Sequence, residues 1–172
     1  MISIFASFSS KRVRALAYLS LAAAAFYVQP VRPIMLVGYS MAPSYLDREI
    51  VMAVHYTGQE LHLGDGVVVR TGGGPIIRRL ADLPGESIEQ VRSDGWTDDY
   101  TPQALRVSKR FGAYRKIVVP EHNVYLRGDN PSVSIDSRQL GSFDFDDVQY
   151  VLLNPRPKPS PREVSEWCFK YL

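Results

Sequence analysis

The sequence predicts a mostly β, antiparallel domain of sandwich or barrel type. Short runs rich in Val and Ile recur along the chain with no sustained helical period between them. Gly, Pro and polar clusters of turn type separate those runs. The chain has 172 residues, 45% hydrophobic and 22% charged, enough for one domain with a real core plus a small appendage.

The N-terminus departs from that pattern. Lys11, Arg12 and Arg14 precede "ALAYLSLAAAAFYV", residues 15 to 28, which carries no charge and is followed by "QPVRPIMLV". A helical span needs about 20 apolar residues, so the uncharged stretch is short alone and close to sufficient with its flanks. A single membrane anchor, a cleaved signal peptide and a buried helix all fit, and the anchor is preferred. Basic residues ahead of the segment keep that end on the cytoplasmic or matrix side, with the remainder translocated. The expected organisation is a basic end and anchor over 1 to 33, a β domain over 34 to 155 and a helical tail over 156 to 172.

The strands follow in order. "REIVMAVHY", "DGVVVRT", "PIIRRLA" and "ESIEQVR" read as the first four, with "TGGG" as a hairpin and "LPGE" as a tight turn. "KIVVP", "NVYLRG" and "DVQYVLL" are the later ones. Residues 93 to 116 show no clear period and read as an excursion outside the core. The tail "PSPREVSEWCFKYL" opens on a Ser-Pro start signal and spaces Val164, Trp167, Cys168 and Tyr171 as one helical face.

Charge and composition exclude several classes. A net charge of +2 gives no strong attraction to nucleic acid, and one cysteine cannot form an intramolecular disulfide. His55, His62 and His122 lack ligand spacing and read as surface or strand-end residues, so no metal and no organic cofactor is expected.

Three stretches can carry chemistry. "VGYSMAPSYLDRE" fixes Ser40 in backbone that Gly38 and Pro43 keep from being a regular helix. A hydroxyl there is a nucleophile only with a base beside it; otherwise it is a turn serine. "LRGDNPSVSIDSRQLGSF" packs Asp129, Ser134, Asp136 and Arg138 into an irregular polar loop, which has no EF-hand spacing and is otherwise a self-bonded structural loop. "GPIIRRLADLPGES" sets Arg78 and Arg79 side by side at a strand end, where solvated charge is the simplest reading.

In the order "GYSMAPS", "LGDGVVV", "IIRRLADLPGE" and "VPEHNVYLRGDNPSVSIDSRQLG", residues 37 to about 142 resemble the type I signal peptidase family, including its short mitochondrial inner-membrane members. The resemblance implies a signal-peptidase-like β fold on one N-terminal transmembrane helix. The β domain would lie outside a bacterial inner membrane, or in the mitochondrial intermembrane space. It also implies a serine endopeptidase that removes leader peptides from preproteins after small residues, beside the lipid bilayer. By match Ser40 is the nucleophile, its backbone N–H holds the oxyanion, and Ser134 hydrogen-bonds the base. Met41, Asp129, Asp136 and Arg138 fall on supporting positions. The family's arginine matches Arg79, for which an ion pair with Asp136 is expected.

Two positions depart from the pattern. Arg78 stands where the family has its catalytic lysine, and a guanidinium stays charged where a buried amine can be neutral. Bringing a group with pKa above 12 to work at pH 7 would cost roughly 7 kcal/mol. Asp82 stands where Gly is common and adds a carboxylate expected to hold Arg78 charged. Lys109, Lys116 and His55 are the other candidate bases. The alternative function is an inactive relative that binds extended segments or pairs with an active partner subunit. A repressor-type autoprotease shares the serine/lysine dyad, but would carry a DNA-binding domain where this chain has its hydrophobic segment.

Overall fold

The computed structural model describes residues 11–28, 31–93 and 95–171. The first ten residues of the expected basic end lie outside them, as do Gln29 and Pro30. Helix α1 covers Lys11–Val28, and among the described residues no helix is long and apolar enough to cross a membrane. At about 1.5 Å per residue α1 approaches the thickness of a hydrocarbon core, but its first turn spends three positions on Lys11, Arg12 and Arg14.

Ten strands follow: β1 (Val31–Met35), β2 (Ile50–His55), β3 (Gly66–Thr71), β4 (Gly74–Asp82), β5 (Ser87–Arg92), β6 (Trp96–Thr97), β7 (Tyr114–Val118), β8 (Asn123–Arg127), β9 (Phe143–Asp144) and β10 (Val148–Leu152). Three further helices are α2 (Pro102–Phe111), α3 (Ser137–Leu140) and α4 (Pro161–Tyr171). Because β1 starts at Val31, the expected boundary after residue 33 falls inside a strand.

Seven strands form one antiparallel sheet in the order β1-β2-β10-β3-β4-β8-β9, and β6-β5-β7 form a second. The hairpin at "TGGG" joins β3 to β4 with Thr71 opposite Gly74, whose φ of +111° only glycine adopts readily. The "LPGE" turn does not return β5 to β4. It carries the chain into the second sheet, closing with the Glu86 N–H on the Leu83 carbonyl.

Inward side chains of the large sheet form the core: Val67, Val69, Leu80, Val124, Leu126 and Val151 pack as one cluster. A second cluster of Leu36, Met41, Tyr45, Ala53 and Leu152 underlies the turn after β1. That cluster anchors the loop bearing Ser40 to the sheet, since Met41 and Tyr45 of the loop belong to it.

Residues 93 to 116 are not irregular. They supply β6, α2 and the start of β7, the outer parts of the small sheet. Thr101 caps α2 by accepting from the Ala104 N–H, Pro102 opens it and Gly112 closes it at φ +71°. Ala104, Leu105 and Ser108 turn inward, while Val107 and Phe111 stay exposed.

Where the sheets meet, Arg127 Nη2 lies 2.6 Å from Asp98 Oδ2, while Asp82 Oδ2 and Arg127 Nε are buried without a hydrogen-bond partner among the described residues. Burial, with Glu86 and Asp98 nearby, holds the Asp82 carboxyl above the ordinary aspartate range against the pull of Arg127. A carboxyl raised in the folded state favours folding below its unfolded pKa and loses that advantage as pH rises through the folded value. Asp82→Asn is therefore expected to raise the melting temperature by about 1–3 °C at pH 7 and to leave it unchanged near pH 3, read by thermal unfolding at the two pH values.

Candidate active site

Ser40 sits in the turn between β1 and β2, half-buried and flanked by the buried Met41. Gly38 starts that turn at φ +98°, with its N–H donating to Asp47 Oδ1 at 2.7 Å. β4 supplies Arg78 and Arg79, and strand alternation sends neighbouring side chains to opposite sides. The two arginines consequently meet different partners.

Arg78 reaches Ser40. Its Nη1 donates to Ser40 Oγ at 2.8 Å and to the Ile77 carbonyl, and its Nε and Nη2 donate to the Ile135 carbonyl at 3.1 and 2.7 Å. Every one of these acceptors is neutral, and Arg78 itself is only 6% exposed. Burial pushes the guanidinium below its ordinary range; the Asp136 charge opposes that shift and the Arg138 charge adds to it. Ser40 Oγ therefore accepts a hydrogen bond from a cation and faces no proton acceptor on that side.

Arg79 turns to the loop after β8. It forms a fork with Asp129, Nε to Oδ1 at 2.7 Å and Nη2 to Oδ2 at 2.6 Å, and donates through Nη1 to the Gly64 and Arg156 carbonyls. The partner expected from sequence, Asp136, is engaged elsewhere. Arg138 grips Asp136 at 2.8 and 2.6 Å, Ser134 Oγ and the Gly128 N–H each donate to Asp136 Oδ2 at 2.8 Å, and Asp136 caps α3. The loop folds back on itself, so Asp136 is filled by partners two residues to either side and by Gly128.

The Ser134 hydroxyl proton thus points to Asp136, where sequence reasoning expected a bond to the group at position 78. Asp82, expected beside Arg78, lies instead with Arg127 and Asp98. Lys109 is paired with Glu89 at 2.9 Å in the small sheet, Lys116 lies exposed on β7 and His55 meets the Tyr150 ring edge-on. None of these three lines the groove beside Ser40.

Two contacts had no counterpart in the sequence reading. The Asn130 N–H donates to the Ser40 carbonyl at 3.0 Å, and the Asn130 carbonyl accepts from the Ser134 N–H at 3.1 Å. Asn130 stands in the quoted "GDNP" run, a turn signal that gave no hint of its partner. Gly128 has no room for a side chain: a Cβ there would overlap Ser134 and come within 2.7 Å of the Ser40 carbonyl oxygen. The loop and the serine turn are therefore packed backbone to backbone.

A groove of about 310 Å³ leads to Ser40, walled by Ile34, Leu36 and Val37 on one side and Ile76, Ile77 and Arg78 on the other. β1 is the edge of the large sheet, and β4 pairs with β8 only from Arg79 onward. Backbone edges therefore face the groove along both walls.

Comparisons to known proteins give the family. The family described as signal peptidase, peptidase S26, matches residues 9–150. The chain belongs to that family. It is 30% identical over 156 residues to signal peptidase I U of Bacillus subtilis, covering 80% of this chain and 83% of that protein. It is 29% identical over 147 residues to mitochondrial inner membrane protease subunit 1 of Saccharomyces cerevisiae, covering 78% of this chain and 74% of that protein. Signal peptidase I S of Bacillus subtilis is 32% identical over 127 residues, 64% of this chain and 68% of that protein. At family level the chain is a serine peptidase, a hydrolase of signal peptidase type. Helix α4 lies wholly beyond the matched residues.

Two outcomes follow for this S26 chain. Arg79→Ala leaves Asp129, 4% exposed, as an unpaired buried charge, and is expected to cost about 3–5 kcal/mol in urea unfolding. Although burial alone would raise it, Asp136 is held below the ordinary aspartate range by Arg138, the Gly128 N–H and Ser134. A depressed carboxyl stabilises the fold above its unfolded pKa and ceases to do so as pH falls through the folded value. Asp136→Asn should therefore lower stability at pH 7 and flatten its further loss between about pH 4 and pH 2, measured by denaturation across that range.

Proposed function

We propose that this S26 chain is a membrane-attached serine endopeptidase that removes leader peptides from translocated preproteins after small residues, with Ser40 as nucleophile and Arg78 as the cation that polarises it. The observation that carries the reading is the 2.8 Å contact from Arg78 Nη1 to Ser40 Oγ at the end of a groove with open strand edges. An extended preprotein segment would add to those edges as a strand, with small side chains toward the apolar walls. We place the β domain across a bacterial inner membrane from the basic N-terminus, or across a mitochondrial one.

Catalysis then differs from the lysine-based scheme in where the proton goes. Ser40 Oγ attacks the scissile carbonyl carbon, and its proton leaves to solvent hydroxide, because Arg78 has no acceptor to offer. The guanidinium lowers the cost of the forming alkoxide, and the Ser40 N–H takes the carbonyl oxygen as it becomes negative. Solvent protonates the departing amine, and water releases the acyl group from Ser40. Such a reaction gains rate continuously as pH rises.

The same contact supports a second reading, a non-catalytic binder of extended segments, because the serine is held by a fixed cation. Cleavage of a model preprotein by the detergent-solubilised chain, beside Ser40→Ala and Arg78→Lys, separates the two. The endopeptidase reading expects cleavage that vanishes in Ser40→Ala and rises about 10²-fold at pH 7 in Arg78→Lys, where a buried amine can act as general base. No cleavage by the native chain, with cleavage gained in Arg78→Lys, would mean a site silenced at one residue and make the binder the better reading.

A further inference from the structure

We propose that α4, through Trp167 and Cys168, is a positioning element for Ser40. The proposal rests on the reading of Ser40 as nucleophile, and the helix carrying it lies outside the segment that matches the S26 family.

The chain approaches α4 along a tethered route. The Arg156 N–H donates to the Tyr45 hydroxyl at 2.9 Å, its guanidinium reaches the Ser44 carbonyl at 2.6 Å and pairs with Glu49, and its own carbonyl accepts from Arg79. Glu163 Oε2 then accepts from both the Ser160 N–H and the Ser160 hydroxyl at 2.7 Å, closing the start of the helix. Val164 is the buried foot of α4. The helix is thereby fixed at its base and by its approach.

From that base α4 touches both neighbours of the nucleophile. The Trp167 ring lies 5.5 Å from the ring of Tyr39, the residue immediately before Ser40, and 5.3 Å from Tyr171 behind it. One turn position on, the Cys168 thiol donates to Asn130 Oδ1 at 3.6 Å. Asn130 is fully buried, and its backbone N–H is the donor on the Ser40 carbonyl. Its Oδ1 also accepts from the Ser132 N–H at 3.2 Å, so one side chain ties α4 to the loop that packs on Ser40.

Ser40 needs such support from outside its own segment. It belongs to neither a helix nor a strand, and Val37, Gly38 and Tyr39 before it are all exposed. The buried cluster holds the chain at Leu36 before the turn and at Met41 and Tyr45 after it, and leaves Tyr39, next to Ser40, outside it. Trp167 braces Tyr39, and Asn130, held by Cys168, fixes the Ser40 carbonyl. A displacement of about 1 Å at a reacting atom can cost 10²-fold in rate, so contacts this remote from the groove can still govern turnover.

The experiment pairs hydrogen exchange with kinetics on the full chain, comparing native, Trp167→Ala with Cys168→Ala, and Trp167→Phe. The expected result is exchange about tenfold faster in residues 37–42 and 128–134 of the double variant, with amides of β3 and β8 and the melting temperature close to native. Trp167→Phe should restore the native pattern. In preprotein cleavage the double variant should lose about tenfold in kcat with KM held within about twofold. Unchanged exchange in the two segments, or a uniform rise together with a large fall in melting temperature, overturns the proposal. Absence of cleavage by the native chain overturns the nucleophile reading instead, and the exchange pattern still decides whether α4 braces the turn.

Discussion

The buried fork between Arg79 and Asp129 is the interaction on which the site depends. It joins β4, in the middle of the large sheet, to the loop that follows β8, and it uses all of the guanidinium in doing so. Two charges removed from water stabilise a fold only when geometry and additional hydrogen bonds are nearly complete. Here the Gly64 and Arg156 carbonyls complete them, so the pair also gathers the start of β3 and the approach to α4. With Arg79 fixed on one side, the alternation of the strand leaves Arg78 one direction, toward Ser40. The location of the cation at the serine is thus a consequence of the pair beside it.

The two guanidiniums, adjacent in sequence, have opposite electrostatic surroundings. Arg79 faces a carboxylate, and despite burial its guanidinium is held above its ordinary range. Arg78 faces carbonyl dipoles and a hydroxyl, and its range is lowered. A lysine at position 78 would carry its charge on one nitrogen with no planar fork to span Ser40 and the Ile135 carbonyl together. The fork holds the guanidinium in register with Oγ, and the same geometry prevents it from receiving the serine proton. Position and reactivity pull against one another at this residue.

The strands were legible because β structure advertises itself in short branched runs broken by turn residues, and α4 because Val164, Trp167 and Cys168 repeat at helical spacing. Helix α2 escaped notice since it is short and its inward face is built from the small Ala104 and Ser108 beside Leu105, although its capping residues Thr101, Pro102 and Gly112 were all in view. Ser40, Arg78 and the polar loop were recognisable from motif order. Their partners were not, because pairing depends on how a loop folds: Asp136 is claimed by Arg138 two residues away, which frees Asp129 for Arg79. The donors and acceptors supplied by backbone, the Ile135 carbonyl and the Asn130 N–H above all, have no side-chain signature to read.

The charge balance around Ser40 gives Arg78 a physical rationale on the proposed reading. Among the described residues Arg138 and Asp136 cancel, Arg79 and Asp129 cancel, and Arg78 is left as the uncompensated cation of the buried site. In the resting protein that is unfavourable, since neutral carbonyls replace only part of the hydration a guanidinium loses. Attack by Ser40 on a carbonyl creates one negative charge within reach of the same groups. An environment that is short of one anion at rest and complete when the tetrahedral species forms favours that species over bound substrate, and this difference lowers a barrier. On that reading an arginine at this position offers no route for the proton, whereas its charge would stabilise the oxyanion. On the proposed reading, the residue that departs from the family pattern would slow one part of acyl transfer while serving another.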